Sequence, residues 1–149
     1  MPGADLPPLP GPAVAEEALR EWGRGLGATL TVPAIIALRG PLGAGKTTLA
    51  QAILAGAGVT DVVTSPTFSL VQTYDSPRGP VAHLDLYRLR SPAEFEALGW
   101  DDLLQASALV LVEWPERADS ARLGARLEIT LDDLPDDADR RRVEVRWLT

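Results

Sequence analysis

The chain has no cysteine, which excludes disulfides, zinc–thiolate centres and thiol catalysis. A single histidine, His83, is too little for a histidine-rich metal site and a poor basis for a Ser-His-Asp triad. Long apolar runs are also missing. The longest, residues 106–112, is interrupted by Ser107 and falls far short of a membrane span. No basic start followed by an apolar stretch is present, so a secretory signal is not expected and a cytoplasmic location is. Positive charge is scarce as well. The formal net charge is −7, which argues against a protein that coats nucleic acid by charge alone. Of the 14 basic residues only Lys46 is a lysine. Arginine serves most surface roles, so a lysine retained among arginines points to a site that needs a compact ammonium on a flexible stem.

What is present fits one soluble domain. The 149 residues are 46% hydrophobic and 23% charged, enough to bury one core and too few for two enzyme domains. Five prolines within residues 1–12 predict an extended or poorly ordered arm, with a single domain over 13–149. Val14, Ala18, Leu19, Trp22 and Leu26 fall near helical spacing, predicting a helix from Ala13 to about Gly27. Residues 33–38 (PAIIAL) form a short continuous apolar run, the pattern of a strand buried on both faces of a parallel sheet. Residues 46–57 then read as a helix. Residues 81–87 and 109–112 are further strand candidates, with a weaker one at 69–74. Ser91, Pro92 and Glu94 form a helix start with a capping box, and a short helix is expected near Trp100. Residues 126–131 and 142–148 alternate apolar and polar, as half-exposed strands do. The five aspartates between them, in residues 132–139, read as an acidic loop.

The chemistry concentrates at residues 40–47 (GPLGAGKT), which fit G-x-x-x-x-G-K-[ST] at every required position. An apolar strand precedes the motif and a helix pattern follows it, as a phosphate-binding loop requires. Glycines let the backbone curl and present N–H groups to phosphate oxygens, and the helix start adds more. On this reading Pro41, Leu42, Gly43, Ala44 and Gly45 form the cradle. Lys46 contacts the β- and γ-phosphates, Thr47 ligates Mg²⁺, and Thr48 reaches the α-phosphate of ATP. Such a site also needs a carboxylate at the metal and a group that orients water. Asp85 and Glu113 end two strand patterns and are the candidates for both tasks. Asp85 is alternatively a solvated strand end, and Glu113 a capping or surface residue. Residues 64–67 (TSPT), with the Thr67 hydroxyl, form either a loop that senses the γ-phosphate or a plain turn. Trp114 lies near nucleotide or serves the core. His83 reads as structural rather than as a base, and Arg140, Arg141 and Arg142 as a solvated strand start.

Four blocks, residues 40–48 (GPLGAGKTT), 65–68 (SPTF), 83–89 (HLDLYRL) and 112–116 (VEWPE), occur in this order with short spacings. Together they closely resemble the TsaE (YjeE) family, the bacterial ATPases of tRNA threonylcarbamoyladenosine biosynthesis, over about residues 15–131. The resemblance implies an α/β, P-loop NTPase-like three-layer sandwich with a mainly parallel central sheet and a C-terminal antiparallel hairpin. It implies slow Mg²⁺-dependent ATP hydrolysis that depends on two partners, TsaB and TsaD, the latter acting on adenosine 37 of tRNA. It makes Lys46 and Thr47 phosphate and Mg²⁺ residues, and Asp85 the Walker B-like aspartate. Glu113 becomes the acid at metal and catalytic water, Thr67 part of a switch-like loop, and Trp114 a neighbour of nucleotide. Contact with tRNA would be indirect, and neither DNA nor a membrane is implied. One departure is Pro41, where the family commonly has aspartate. A small-molecule kinase and a non-catalytic nucleotide switch are the alternatives. The first lacks room for a lid in 149 residues, and the second would not need Glu113.

Overall fold

A computed structural model describes residues 6–9, 11–63 and 70–148 of the chain. The apolar runs become the inner strands: β2 (Ala34–Arg39), β4 (Val81–Asp85) and β5 (Leu109–Glu113). With β6 (Leu127–Leu134) they form the parallel centre of the sheet. β3 (Val71–Tyr74) closes one edge, antiparallel to β4. β7 (Asp137–Trp147) and β1 (Ala13–Ala15) close the other, also antiparallel. The full order is β1-β7-β6-β2-β5-β4-β3.

Side chains alternate across this sheet, so it buries two faces. On one, Ile36, Leu38, Leu111 and Ile129 pack under α1 (Glu16–Thr29) and α2 (Lys46–Gly56). On the other, Leu84, Val110 and Val112 pack under α3 (Pro92–Ala97), α4 (Trp100–Ala106) and α5 (Ser120–Leu123). The result is the three-layer α/β arrangement with a C-terminal antiparallel hairpin that the sequence predicts. Ser91 caps α3 as expected, its Oγ accepting from Glu94 N at 3.2 Å with Pro92 in the first turn. Helices α1 and α2 touch backbone to backbone: a Cβ on Gly27 would lie 1.9 Å from the Ile53 carbonyl oxygen.

Two segments differ from the sequence reading. Ala13–Ala15 is a strand, not the start of α1, because the β7 edge supplies its hydrogen-bonding partners (Val14 opposite Arg141). Residues 132–139 are not a loop. Strands β6 and β7 run through them to a tight turn, and Arg141 and Arg140 pair with Asp133 and Asp137 at 3.4 and 3.7 Å, offsetting the aspartate repulsion. In the N-terminal segment Leu6 and Leu9 pack on the core, and the indole of Trp22 donates to the Pro7 carbonyl at 2.9 Å.

Candidate functional site

The glycine-rich motif sits where β2 leaves the sheet. The turn at Gly40 (φ 147) passes against β6 so closely that a Cβ there would lie 2.3 Å from the Leu131 carbonyl oxygen. Gly43 and Gly45 have φ of 79 and 102, values that L-residues reach only with strain. The loop closes on itself through Ala44 N to Pro41 O at 3.1 Å, and α2 begins with Leu49 N to Gly45 O at 2.9 Å. The first turn of a helix leaves its N–H groups without intrahelical acceptors. Those of Lys46, Thr47 and Thr48 therefore face the loop.

Lys46 is buried. Its Nζ donates to the carbonyls of Gly40 at 2.5 Å and Pro41 at 2.9 Å and lies 4.2 Å from the centroid of the Trp114 ring. Burial lowers its pKa below the ordinary 10.5, and the carboxylates of Glu113, Glu116 and Asp85 pull it back upward.

The two candidate carboxylates come from neighbouring strands. Asp85 and Glu113 are register partners at the carboxyl ends of β4 and β5, the end at which open α/β sheets bind ligands. Glu113, only 2% exposed, accepts from Thr47 Oγ1 at 3.2 Å (Oε1) and 3.4 Å (Oε2). His83 Nε2 lies 2.6 Å from Glu113 Oε2. Asp85 Oδ1 accepts from Tyr87 N at 3.0 Å. Trp114 follows with φ 59, the one positive value among the described non-glycine residues, and its ring meets Tyr87 at a centroid distance of 4.9 Å.

One cavity of about 330 Å³ is lined by Leu42, Gly43, Gly45, Lys46, Thr47, Thr48, Asp85, Glu113 and Trp114. A second, of about 270 Å³, lies across the loop against Glu16, Ala44, Asp139 and Arg141. A buried lysine, a threonine hydroxyl and two carboxylates from neighbouring strands thus surround one curled stretch of backbone. The family model for TsaE, described as threonylcarbamoyl adenosine biosynthesis protein, matches residues 13–143. The chain belongs to the TsaE family.

Relatives in that family include the tRNA threonylcarbamoyladenosine biosynthesis protein TsaE of a Nostoc species, 45% identical over 62% of this chain. The TsaE of Rickettsia bellii is 37% identical over 83% of this chain and 85% of its own length. The match spans only 59% of the Nostoc protein. Among solved structures, Bacillus subtilis YdiB superposes with a TM-score of 0.68 at 26% identity, covering 91% of this chain and 82% of that one.

Within this TsaE-family chain the structure brings Leu42, Gly43, Gly45, Lys46, Thr47, Thr48, Asp85, Glu113 and Trp114 to one cavity. Ala44 lines the neighbouring one. Pro41 lends its carbonyl to Lys46. Thr67 and the loop at 64–67 lie outside the described residues. The sequence reading missed two contacts. One is His83 on Glu113, foreshadowed only by a histidine two positions before Asp85. The other is Arg141, which reaches from β7 to donate to Gly43 O at 3.4 Å.

Proposed function

We propose that the chain binds Mg-ATP at the glycine-rich loop and hydrolyses it to ADP and phosphate. It would do so as the energy-consuming accessory of the complex that forms N6-threonylcarbamoyladenosine at position 37 of tRNA. The observation that carries this reading is the register pairing of Asp85 and Glu113 beside Thr47, in the cavity that Lys46 borders.

The donor set suits Mg²⁺: a hydroxyl and two carboxylates, all hard oxygen ligands. Among the described residues no cluster of three or more His, Cys, Asp and Glu side chains forms a metal site. Mg²⁺ held with nucleotide phosphates needs only one or two carboxylates. Thr47, Asp85 and Glu113 would hold it, and when bound it would neutralise charge on the β- and γ-phosphates. The loop amides cradle the phosphates. Lys46 exchanges its two carbonyl partners for phosphate oxygens, which repay its burial better than neutral acceptors do. Glu113, fixed on a buried strand end, orients the attacking water and accepts its proton. The second cavity gives the nucleoside a place beside Glu16, Asp139 and Arg141.

The net charge of −7 favours protein partners over free tRNA, and TsaB and TsaD are the partners that this reading takes. Work on tRNA modification suits the cytoplasm; no helix among the described residues is long and apolar enough to cross a membrane. The test is phosphate release from Mg-ATP by the purified chain, with and without TsaB and TsaD. Release that partners stimulate and Lys46→Ala abolishes supports the reading; intact release in that variant refutes it.

A further inference from the structure

We propose that His83 is a positioning residue for Glu113. By donating from Nε2 to Oε2 it fixes the carboxylate so that Oε1 is turned to Thr47 and the phosphate cavity. The inference rests on the nucleotide site proposed above and adds to it a residue that does not line the cavity.

The sheet register makes the contact. His83 pairs with Leu111, and Asp85, two residues on, pairs with Glu113. His83 and Glu113 therefore stand on one face as diagonal neighbours, about two residues apart along strands spaced about 4.8 Å. An imidazole and a three-carbon carboxylate side chain bridge that diagonal, and they meet at 2.6 Å. Thr47 Oγ1 approaches the same carboxylate nearer to Oε1, at 3.2 Å against 3.4 Å for Oε2. Two donors on different sides define the plane of the group, and a carboxylate that must meet both a cation and a water needs that plane fixed.

Packing alone does not account for a histidine here. The residue is fully buried on β4, opposite Leu111 of β5 and Gln72 of β3, and its Nδ1 has no hydrogen-bond partner among the described residues. An unpaired buried ring nitrogen is a cost. A leucine such as neighbouring Leu84 fills an inner strand position without it. What the imidazole supplies that an apolar side chain does not is the Nε2 contact.

Three variants of the full chain test this: His83→Leu, His83→Gln and His83→Asn. Glutamine returns a donor near the Nε2 position, and asparagine places it near Nδ1, where it misses Glu113. ATP affinity is measured by calorimetry in EDTA and in Mg²⁺, beside kcat and thermal melting. The expectation is that all three bind ATP in EDTA like wild type. Leucine and asparagine lose the Mg²⁺-dependent gain in affinity and about 10–100-fold in kcat, while glutamine retains most of both. A leucine variant with full Mg²⁺ gain and kcat overturns the proposal. So do glutamine and asparagine variants that fall equally, which would mark His83 as a structural polar residue; that comparison holds even where leucine fails to fold. If wild type itself binds no ATP, the nucleotide reading fails and this inference with it.

Discussion

The ammonium of Lys46 rests 4.2 Å from the centre of the Trp114 ring, with its protons on the carbonyls of Gly40 and Pro41. The lysine is thus held by its own loop and by an aromatic face, a contact worth about 0.5–2 kcal/mol. Phosphate must draw it from that place. Nucleotide binding is therefore expected to change Trp114 emission. The other tryptophans, Trp22, Trp100 and Trp147, lie outside the cavity. Titration of ATP into wild type and Trp114→Phe checks this: the change vanishes in the variant. A change that persists there would place it at another tryptophan.

Replacing Lys46 with methionine should separate binding from stability. The substitution removes a buried cation but leaves the Gly40 and Pro41 carbonyls with one donor fewer, so the two effects offset. Stability by urea unfolding is expected within about 1 kcal/mol of wild type, while ATP binding is lost. The pH dependence follows from the lowered pKa. Between that lowered value and the ordinary 10.5 the unfolded chain holds the proton more firmly than the folded one. Wild-type stability therefore gains a contribution as pH rises through this window, and Lys46→Met lacks it.

Gly40 and Gly43 should respond differently to alanine. At Gly40 a Cβ meets the Leu131 carbonyl at 2.3 Å, whereas at Gly43 nothing lies within 4 Å. Gly40→Ala is expected to cost about 2–4 kcal/mol of stability through clash and backbone strain. Gly43→Ala should cost about 1–2 kcal/mol through its positive φ alone, yet weaken ATP more than its stability suggests, because its Cβ stands at the cavity wall. Chemical unfolding and calorimetry on both variants check the contrast.

Far from the loop, Arg122 joins α5 to α3 and α4 through Glu96 at 2.9 Å and Asp101 at 2.9 Å. Its hydrogen bonds hold both carboxyls below their ordinary values of 4.5 and 3.8. The folded state then binds fewer protons than the unfolded state. The stabilisation is present above those values and lost as pH falls through the folded ones. Arg122→Gln should show a shallower acid dependence below about pH 4.5 in melting experiments. Both carboxylates are exposed, so the effect is small.

The tight turn between β2 and α2 was legible because its requirement is carried by the residues themselves: glycines at Gly40, Gly43 and Gly45, where the backbone takes positive φ. The inner strands were legible for a similar reason, since burial on both faces leaves an unbroken apolar run. What local pattern does not carry is register. That Asp85 stands opposite Glu113, and that His83 reaches that glutamate, depends on β4 and β5 pairing across 23 intervening positions. Ala13–Ala15 became a strand because an edge formed by the far end of the chain was available. Around the turn at 135–136 the flanking aspartates joined β6 and β7, with Arg141 and Arg140 offsetting the charge of Asp133 and Asp137.

The central claim is that Lys46 and the curled backbone before it grip the phosphates of ATP. Calorimetric titration of Mg-ATP into the full chain tests it most directly. The account expects one site per chain, weakened on removing Mg²⁺ and lost in Lys46→Ala. Absence of binding to the folded wild-type chain, or equal binding by that variant, would contradict it.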